Sequence, residues 1–192
     1  MPEDSRHERG LLLGGLLKRR IVLVTGPLTE ELATAAAAQV MTLDAEDDEP
    51  LQLHIASPYG DLGAALMLAD TVGLATAPIT AFCRGALGGP ALAPFAAAPR
   101  RIASPHATFR MSEPHTSLSG RADEIAAHAA AIRQQLTHLH AQLALATGQA
   151  PERIAAEMEK GRLLTADEAR DYGLVHEIAG GGKRARPPAT DA

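Results

Sequence analysis

The chain has 192 residues, of which 46% are hydrophobic and only 3% aromatic, and its formal net charge is −5. This length fits one domain, whose core must be built from aliphatic side chains. The acidic balance argues against nucleic-acid binding, which requires a basic face, and no apolar run reaches the ~20 residues of a membrane span. The single cysteine, Cys83, fits a reducing compartment, so we expect a cytoplasmic protein.

The two ends of the chain differ in composition from the rest. Residues 1–15 predict a flexible arm, because their short apolar run is broken by Gly14 and Gly15 and lacks the cleavage site of a signal peptide. Residues 180–192 combine glycine, proline and basic residues, a composition typical of a disordered tail. Residues 16–179 are therefore the single predicted domain.

Strands and helices alternate through the first half of this domain. Apolar runs predict strands at residues 21–24 and 79–83, and alternation of apolar and polar residues predicts a strand at 51–56. Helices are predicted at about 30–43, 62–75 and 91–98. Thr29 is the expected N-cap of the first helix, since two glutamates follow it in the first turn. The acidic run at 44–49 is predicted to be a loop, and residues 85–90 a glycine-rich turn.

The second half begins with short predicted strands at 101–103 and 108–111 and continues with a long helix from Asp123 to about Ala146. The helix carries one apolar stripe, formed by Ile125, Ile132, Leu136, Leu139 and Leu143. A helix at 151–159, a second one capped by Thr165 and a closing strand at 174–178 complete the pattern. Such alternation favours an α/β fold with a largely parallel sheet.

Six segments form an ordered set of motifs between about residues 16 and 178. They are Leu16–Leu23, Gln39–Asp47, Leu53–Gly60, Cys83-Arg84-Gly85, Thr147-Gly148-Gln149, and Leu164–Ala169 followed by Tyr172–Val175. Each motif alone is weak, but the ordered set resembles the ClpP family, the barrel-forming serine peptidases of the Clp protease. The resemblance implies a ClpP/crotonase-like fold of repeated ββα units with a protruding handle helix. It also implies stacked heptameric rings around a chamber, fed by an AAA+ unfoldase.

The resemblance assigns positions to the catalytic groups of the family, and this sequence departs from the family at each of them. The nucleophile position, four residues after Gly85, holds Gly89. The base position holds Ser112, and the acid position holds Gly161. A serine peptidase needs a nucleophile, a base and an orienting acid. We therefore expect a degenerate member that lacks the Ser-His-Asp triad.

The oxyanion hole of the family is affected as well. There the residue after the nucleophile donates its backbone N–H, but this position holds Pro90, which has none. Tyr59 replaces a glycine of the family's Ser-Pro-Gly-Gly turn, and its side chain is expected to narrow the substrate groove. No serine lies between Ser57 and Ser104, so a shifted alignment does not supply a nucleophile.

The resemblance also bears on partners. In the family, aromatic side chains help to form the pockets that receive the unfoldase, and the matching positions here hold Gln52 and His54. We therefore expect a Clp unfoldase to bind weakly or not at all. The expected partners are further copies of the chain, or an active ClpP in a mixed ring, and we expect no nucleic-acid or membrane partner.

Other residues that suggest chemistry have simpler interpretations. His115 follows Ser112 by three positions, and an odd step along a strand should point the two side chains to opposite faces. Three histidines of the long helix lack metal-ligand spacing and are expected to be solvated, namely His128, His138 and His140. Cys83 is predicted to be a small core residue. We expect neither a metal nor a cofactor.

The function predicted from the sequence is a catalytically inactive ClpP-like subunit, with a structural or regulatory role in a Clp-type protease assembly. One alternative is a crotonase-like or otherwise repurposed enzyme, against which Pro90 argues because the same oxyanion donor is missing. Another alternative is a free-standing homo-oligomer without Clp partners.

Overall fold

The computed structural model of the protein describes residues 12–114 and 120–180. Within these ranges eight strands form two sheets. In chain order the strands are β1 (Ile21–Thr25), β2 (Leu51–Ala56), β3 (Ile79–Cys83), β4 (Ala86–Gly88), β5 (Arg100–Ala103), β6 (Thr108–Met111), β7 (Arg162–Thr165) and β8 (Glu177–Ile178). Residues 1–11 of the predicted arm and residues 181–192 of the predicted tail lie outside the described residues. Residues 12–15, which were also predicted to belong to a flexible arm, are instead part of a short helix.

The larger sheet has the strand order β1-β2-β3-β5-β8, and all of its pairs are parallel. In β2 the buried residues Leu51, Leu53 and Ile55 alternate with more exposed neighbours. This alternation shows that one face of β2 packs into the core while the other is more open. The predicted α/β class with a largely parallel sheet is confirmed.

Helices connect the strands of this sheet and cover it. They are α1 (Glu30–Glu46), α2 (Leu62–Leu74), α3 (Leu92–Ala97), α4 (Ala122–Thr147), α5 (Pro151–Lys160) and α6 (Ala166–Asp171), with a 3₁₀ turn at Gly89–Ala91 and a short helical segment over residues 12–17. The predicted cap of α1 is confirmed, because the Thr29 hydroxyl accepts a hydrogen bond from the Leu32 N–H at 3.2 Å. No helix among the described residues is long and apolar enough to cross a bilayer.

Several boundaries differ from the sequence prediction. Helix α1 continues to Glu46, inside the run predicted to be a loop, and the closing strand contains only Glu177–Ile178. The predicted glycine-rich turn contains β4, and β7 was not predicted. Both missed strands pair with β6, which lies far from β7 in the sequence. Strands this short are too brief to show an apolar periodicity in the sequence. They can be recognised only from their pairing with β6 in the folded chain.

Helix α4 is the longest element, with 26 residues and a length of about 39 Å. Its C-terminal half packs on the domain, because Leu139 and Leu143 are buried and Leu136 contacts the core. Ile125, in the N-terminal half, is only half-buried. The predicted apolar stripe therefore packs against the core of the domain mainly at the C-terminal end of the helix.

Candidate functional site

The smaller sheet gathers the three positions that the sequence assigned to catalytic groups. Its central strand, β6, pairs in parallel with β4 and antiparallel with β7. The C-terminal ends of β4 and β6 therefore lie at the same edge as the start of β7. Gly89 follows β4, Ser112 follows β6 and Gly161 precedes β7. The topology brings all three positions to one edge of this sheet.

Gly89 faces Ser112 directly. A Cβ atom built on Gly89 would lie 3.3 Å from the Ser112 carbonyl oxygen and 3.6 Å from its hydroxyl oxygen. Gly89 has φ +56° and stands where β4 turns into the 3₁₀ turn before α3. A sharp strand-to-helix turn of this kind is also where α/β-hydrolases hold their nucleophilic serine. A side chain at position 89 would therefore lie in close contact with Ser112, at a backbone angle that residues other than glycine rarely adopt, and glycine provides no side chain.

Gly161 lies beside Ser112 on the other side. The last register pair of β6 and β7 joins Met111 to Arg162, so one step further along the two chains Ser112 stands opposite Gly161. Gly161 is the C-cap of α5, and a Cβ atom built on it would meet no atom within 4 Å. Its φ of +73° is a left-handed backbone angle that favours glycine, and the position carries no acidic side chain.

The turn from Ser57 to Gly60 lies against the same edge. The Gly88 N–H donates to the Ser57 carbonyl at 3.0 Å, and a Cβ atom on Gly88 would come within 2.6 Å of the Pro58 carbonyl oxygen. This close approach requires glycine at position 88. The Tyr59 side chain is 62% exposed. Ser57 stabilises this turn, since its hydroxyl donates to the Tyr59 carbonyl at 3.0 Å.

Pro90 is the second residue of the 3₁₀ turn and is buried together with Gly89. Its ring nitrogen carries no hydrogen, so the turn offers no backbone donor at the position after Gly89. Preorganised backbone donors are what stabilise the oxyanion of an acyl-transfer reaction. The turn therefore has the shape of a nucleophile turn without one of the groups that would make it reactive.

The structure adds a pair of side chains next to Ser112 that the sequence analysis missed. His140 of α4 places Nε2 3.9 Å from a carboxylate oxygen of Glu113, and its side chain is 13% exposed. Burial lowers the pKa of His140 and the Glu113 charge acts to raise it, with a net lowering. The prediction that His140 is solvated was wrong, because His140 follows Leu136 by four residues and so lies on the inward stripe. His128 and His138 are exposed, as predicted.

Gln52 and His54 lie together on the more open face of β2. The Gln52 side-chain oxygen is 3.0 Å from His54 Nε2, and Arg84 Nε donates to His54 Nδ1 at 3.3 Å. The His54 ring stands 4.8 Å from the Phe82 ring, and the Arg84 guanidinium lies 5.0 Å from the same ring. Burial, followed by the Arg84 charge, lowers the pKa of His54. Phe82 and Arg84 were missed, although the strand alternation would place them on this face.

The C-terminal motif has a structural explanation. Thr165 caps α6 by accepting from the Glu168 N–H, and the Glu168 carboxylate accepts from the Thr165 N–H in return. This reciprocal capping box fixes the turn from β7 into α6. The Tyr172 hydroxyl donates to Glu157 of α5, which also pairs with Arg162. Through these contacts the motif fixes β7, which directly follows Gly161, against helix α5.

Cys83 is a poor candidate for a nucleophile. Cys83 is buried at the end of β3, and burial raises the pKa of its thiol to about 11, although a hydrogen bond to Gly85 acts in the opposite direction. It is therefore a core residue, as predicted. Over residues 12–114 and 120–180 no group of three or more metal-ligating side chains comes together. His115, the other candidate beside Ser112, lies outside the described residues.

A comparison with known protein families identifies the family of the chain. The model of the Clp protease family matches residues 5–181, which is nearly the whole chain. The match includes both sheets, the long helix α4 and the edge at which Gly89, Ser112 and Gly161 meet. The chain belongs to the Clp protease family.

Proposed function

We propose that this protein is a catalytically inactive Clp-type subunit with a structural or regulatory role in a protease assembly. One observation carries the proposal: Gly89 stands where a side chain would reach position 112, and it has no side chain. Without a nucleophile at this position a covalent acyl intermediate cannot form. The site is therefore proposed to be a remnant of the family's catalytic centre.

The neighbouring positions support the same proposal. Ser112 occupies the position of the base, and a hydroxyl is too weak a base to take a proton near neutral pH. Gly161 leaves the position of the orienting acid empty, and Pro90 removes a donor of the oxyanion hole. Loss of one such donor alone typically slows an enzyme by about a hundredfold or more. These losses act together, so one reversion does not restore function.

The proposed role is in assembly. Helix α4 resembles the handle that packs ring against ring in the family, and its N-terminal half is mostly exposed in the single chain. Gln52 and His54 stand where the family has aromatic side chains in the pockets that receive the unfoldase. A homo-oligomer of this chain would therefore bind an unfoldase more weakly. We therefore propose that the chain works inside a mixed assembly, whose active ClpP subunits supply the peptidase sites and the pockets.

Hydrolysis of short fluorogenic peptides tests the proposal. We expect no turnover by the purified chain, and none by the variant Gly89→Ser, because the base and the oxyanion donor are still missing. The matched control is an active ClpP assayed at the same subunit concentration. Turnover by the unmodified chain that survives a second purification step would refute the proposal.

A further inference from the structure

Arg101 of β5 is a buried cation without a carboxylate partner. It is 5% exposed, and among the described residues no carboxylate lies within ion-pair distance of its guanidinium. Its side chain donates instead to the main-chain carbonyls of Ala98 at 3.0 Å, Ala146 at 2.8 Å and Leu174 at 2.8 Å. These carbonyls lie at or just beyond the C-terminal ends of α3, α4 and α6, and the last carbonyls of a helix have no partner inside it. Arg101 therefore ties three helix ends together.

His176, the residue before β8, contacts this cation with both ring nitrogens. Nδ1 accepts a hydrogen bond from the Arg101 main-chain N–H at 3.0 Å, and Nε2 lies 3.1 Å from Nη2 of the same residue. The His176 N–H in turn donates to the Arg101 carbonyl at 2.9 Å. A ring nitrogen that accepts a hydrogen bond carries no proton, so the neutral imidazole is the form that fits this arrangement.

Strand β8 has few other contacts to keep it in place. It is the edge strand of the larger sheet and contains two residues, both of which pair with β5. An ion pair between Arg100 and Glu177 also joins the two strands, but both side chains are exposed and such pairs contribute little. The contacts between His176 and Arg101 are therefore an important part of what holds β8 to the sheet.

The charges around the His176 ring disfavour its protonated form. Burial, followed by the charges of Arg101 and Arg100, lowers the pKa of His176. Of the acidic groups in the surroundings, Glu177 is paired with Arg100, and Asp70 of α2 lines the same cavity as His176. His176 is exposed, so a proton reaches its ring from solvent without any opening of the core.

We propose that His176 is an acid-sensitive latch for the C-terminal strand β8. The neutral ring accepts from Arg101 and keeps β8 on the sheet. The protonated ring has no free acceptor nitrogen and places a second positive charge beside the guanidinium, so it turns into solvent and β8 separates from β5. This goes beyond the proposed function, since the latch depends neither on the missing nucleophile nor on a partner.

The direction of the response follows from the contacts of the ring. Because the pKa of His176 is lowered in the folded chain, the latch is closed above the ordinary histidine pKa of about 6.5 and opens as the pH falls below it. A histidine that binds its proton only in the open state raises the open fraction by at most about tenfold between pH 7.5 and pH 5.5.

Hydrogen exchange of the full-length chain tests the latch. The main-chain N–H groups of His176 and Ala179 donate to carbonyls of β5, so their protection reports on the opening of β8. After correction for the intrinsic pH dependence of exchange, this protection should fall from pH 7.5 to pH 5.5, while the amides of β2 keep theirs. Unchanged protection of both amides, or an equal fall in β2, would overturn the inference.

Variants of His176 separate its titration from its packing. His176→Asn keeps an acceptor near the position of Nδ1 but does not titrate, so the protection of the Ala179 amide should be equal at both pH values. His176→Asp places a carboxylate beside the unpaired guanidinium and should hold β8 more firmly at both. The matched control is His140→Gln, at a half-buried histidine of α4, which should leave the response of β8 intact. A response of His176→Asn equal to that of the unmodified chain would contradict the latch.

Discussion

At the scale of single residues, His140 makes the stability of the protein depend on pH. Its pKa is lowered in the folded chain, chiefly by burial. The imidazole therefore binds a proton more readily in the unfolded chain than in the folded one. As a consequence, the free energy of unfolding should decrease as the pH falls through the ordinary histidine pKa of about 6.5. The protein should consequently be less stable on the acidic side of this range.

The variant His140→Gln should remove this contribution. Its stability relative to the unmodified chain, measured by urea unfolding, should be higher at pH 5.5 than at pH 7.5. His138→Gln, at an exposed position of the same helix, is the matched control. A relative stability of His140→Gln that stays constant between the two pH values would show that His140 is protonated equally in both states.

The residues of the candidate site illustrate what a sequence can predict. The resemblance to the ClpP family assigned Gly89, Ser112 and Gly161 to one site, and the strand register brings these three positions together. The three positions are far apart along the chain, so the sequence by itself contains no geometric reason to expect them close together. The Glu113–His140 pair was missed because it depends on how α4 packs against the end of β6, a contact between segments that no local pattern encodes.

At the scale of elements, α4 is held by its C-terminal half. Leu139 is 0% exposed, whereas Leu145 on the same helix is 88% exposed. Truncation of a buried leucine leaves a cavity and removes transfer free energy. The two leucines therefore provide a matched pair for measuring how strongly the domain holds the helix.

Leu139→Ala should lower the free energy of unfolding by about 2–5 kcal/mol, and Leu145→Ala by less than about 0.5 kcal/mol. Chemical unfolding followed by circular dichroism measures both. If the two variants were equally stable, α4 would not be packed on the domain as described.

The elements that the sequence predicted well are those with their own periodicity. Helix α4 carries an apolar stripe and α1 has an N-cap residue. The predicted ends of both helices lie within a few residues of the ends in the structure. Strands β4 and β7 are three and four residues long. Their existence depends on pairing with β6, so only the assembled sheet reveals them.

At the scale of the whole molecule, the open face of β2 bears on the choice of partners. Gln52 and His54 bind each other, and His54 also contacts Phe82 and Arg84. Replacing two aromatic anchors with polar groups should cost roughly 1–2 kcal/mol each in binding. A homo-oligomer of this chain should therefore bind an AAA+ Clp unfoldase only weakly.

Interferometry with a cognate unfoldase and ATP measures this interaction. We expect an affinity weaker than micromolar for the unmodified chain, and tighter binding by the double variant Gln52→Tyr/His54→Tyr. An active ClpP is the positive control. Micromolar or tighter binding by the unmodified homo-oligomer would show that these two positions do not limit docking.

We propose above that this member of the Clp protease family has no reactive serine. Incubation of the purified chain with a fluorophosphonate probe, followed by intact-mass analysis, tests this directly, with an active ClpP as the positive control. We expect an unchanged mass for this chain and a covalent adduct on the control. An adduct on any serine of this chain, and on Ser112 or Ser57 in particular, would contradict it.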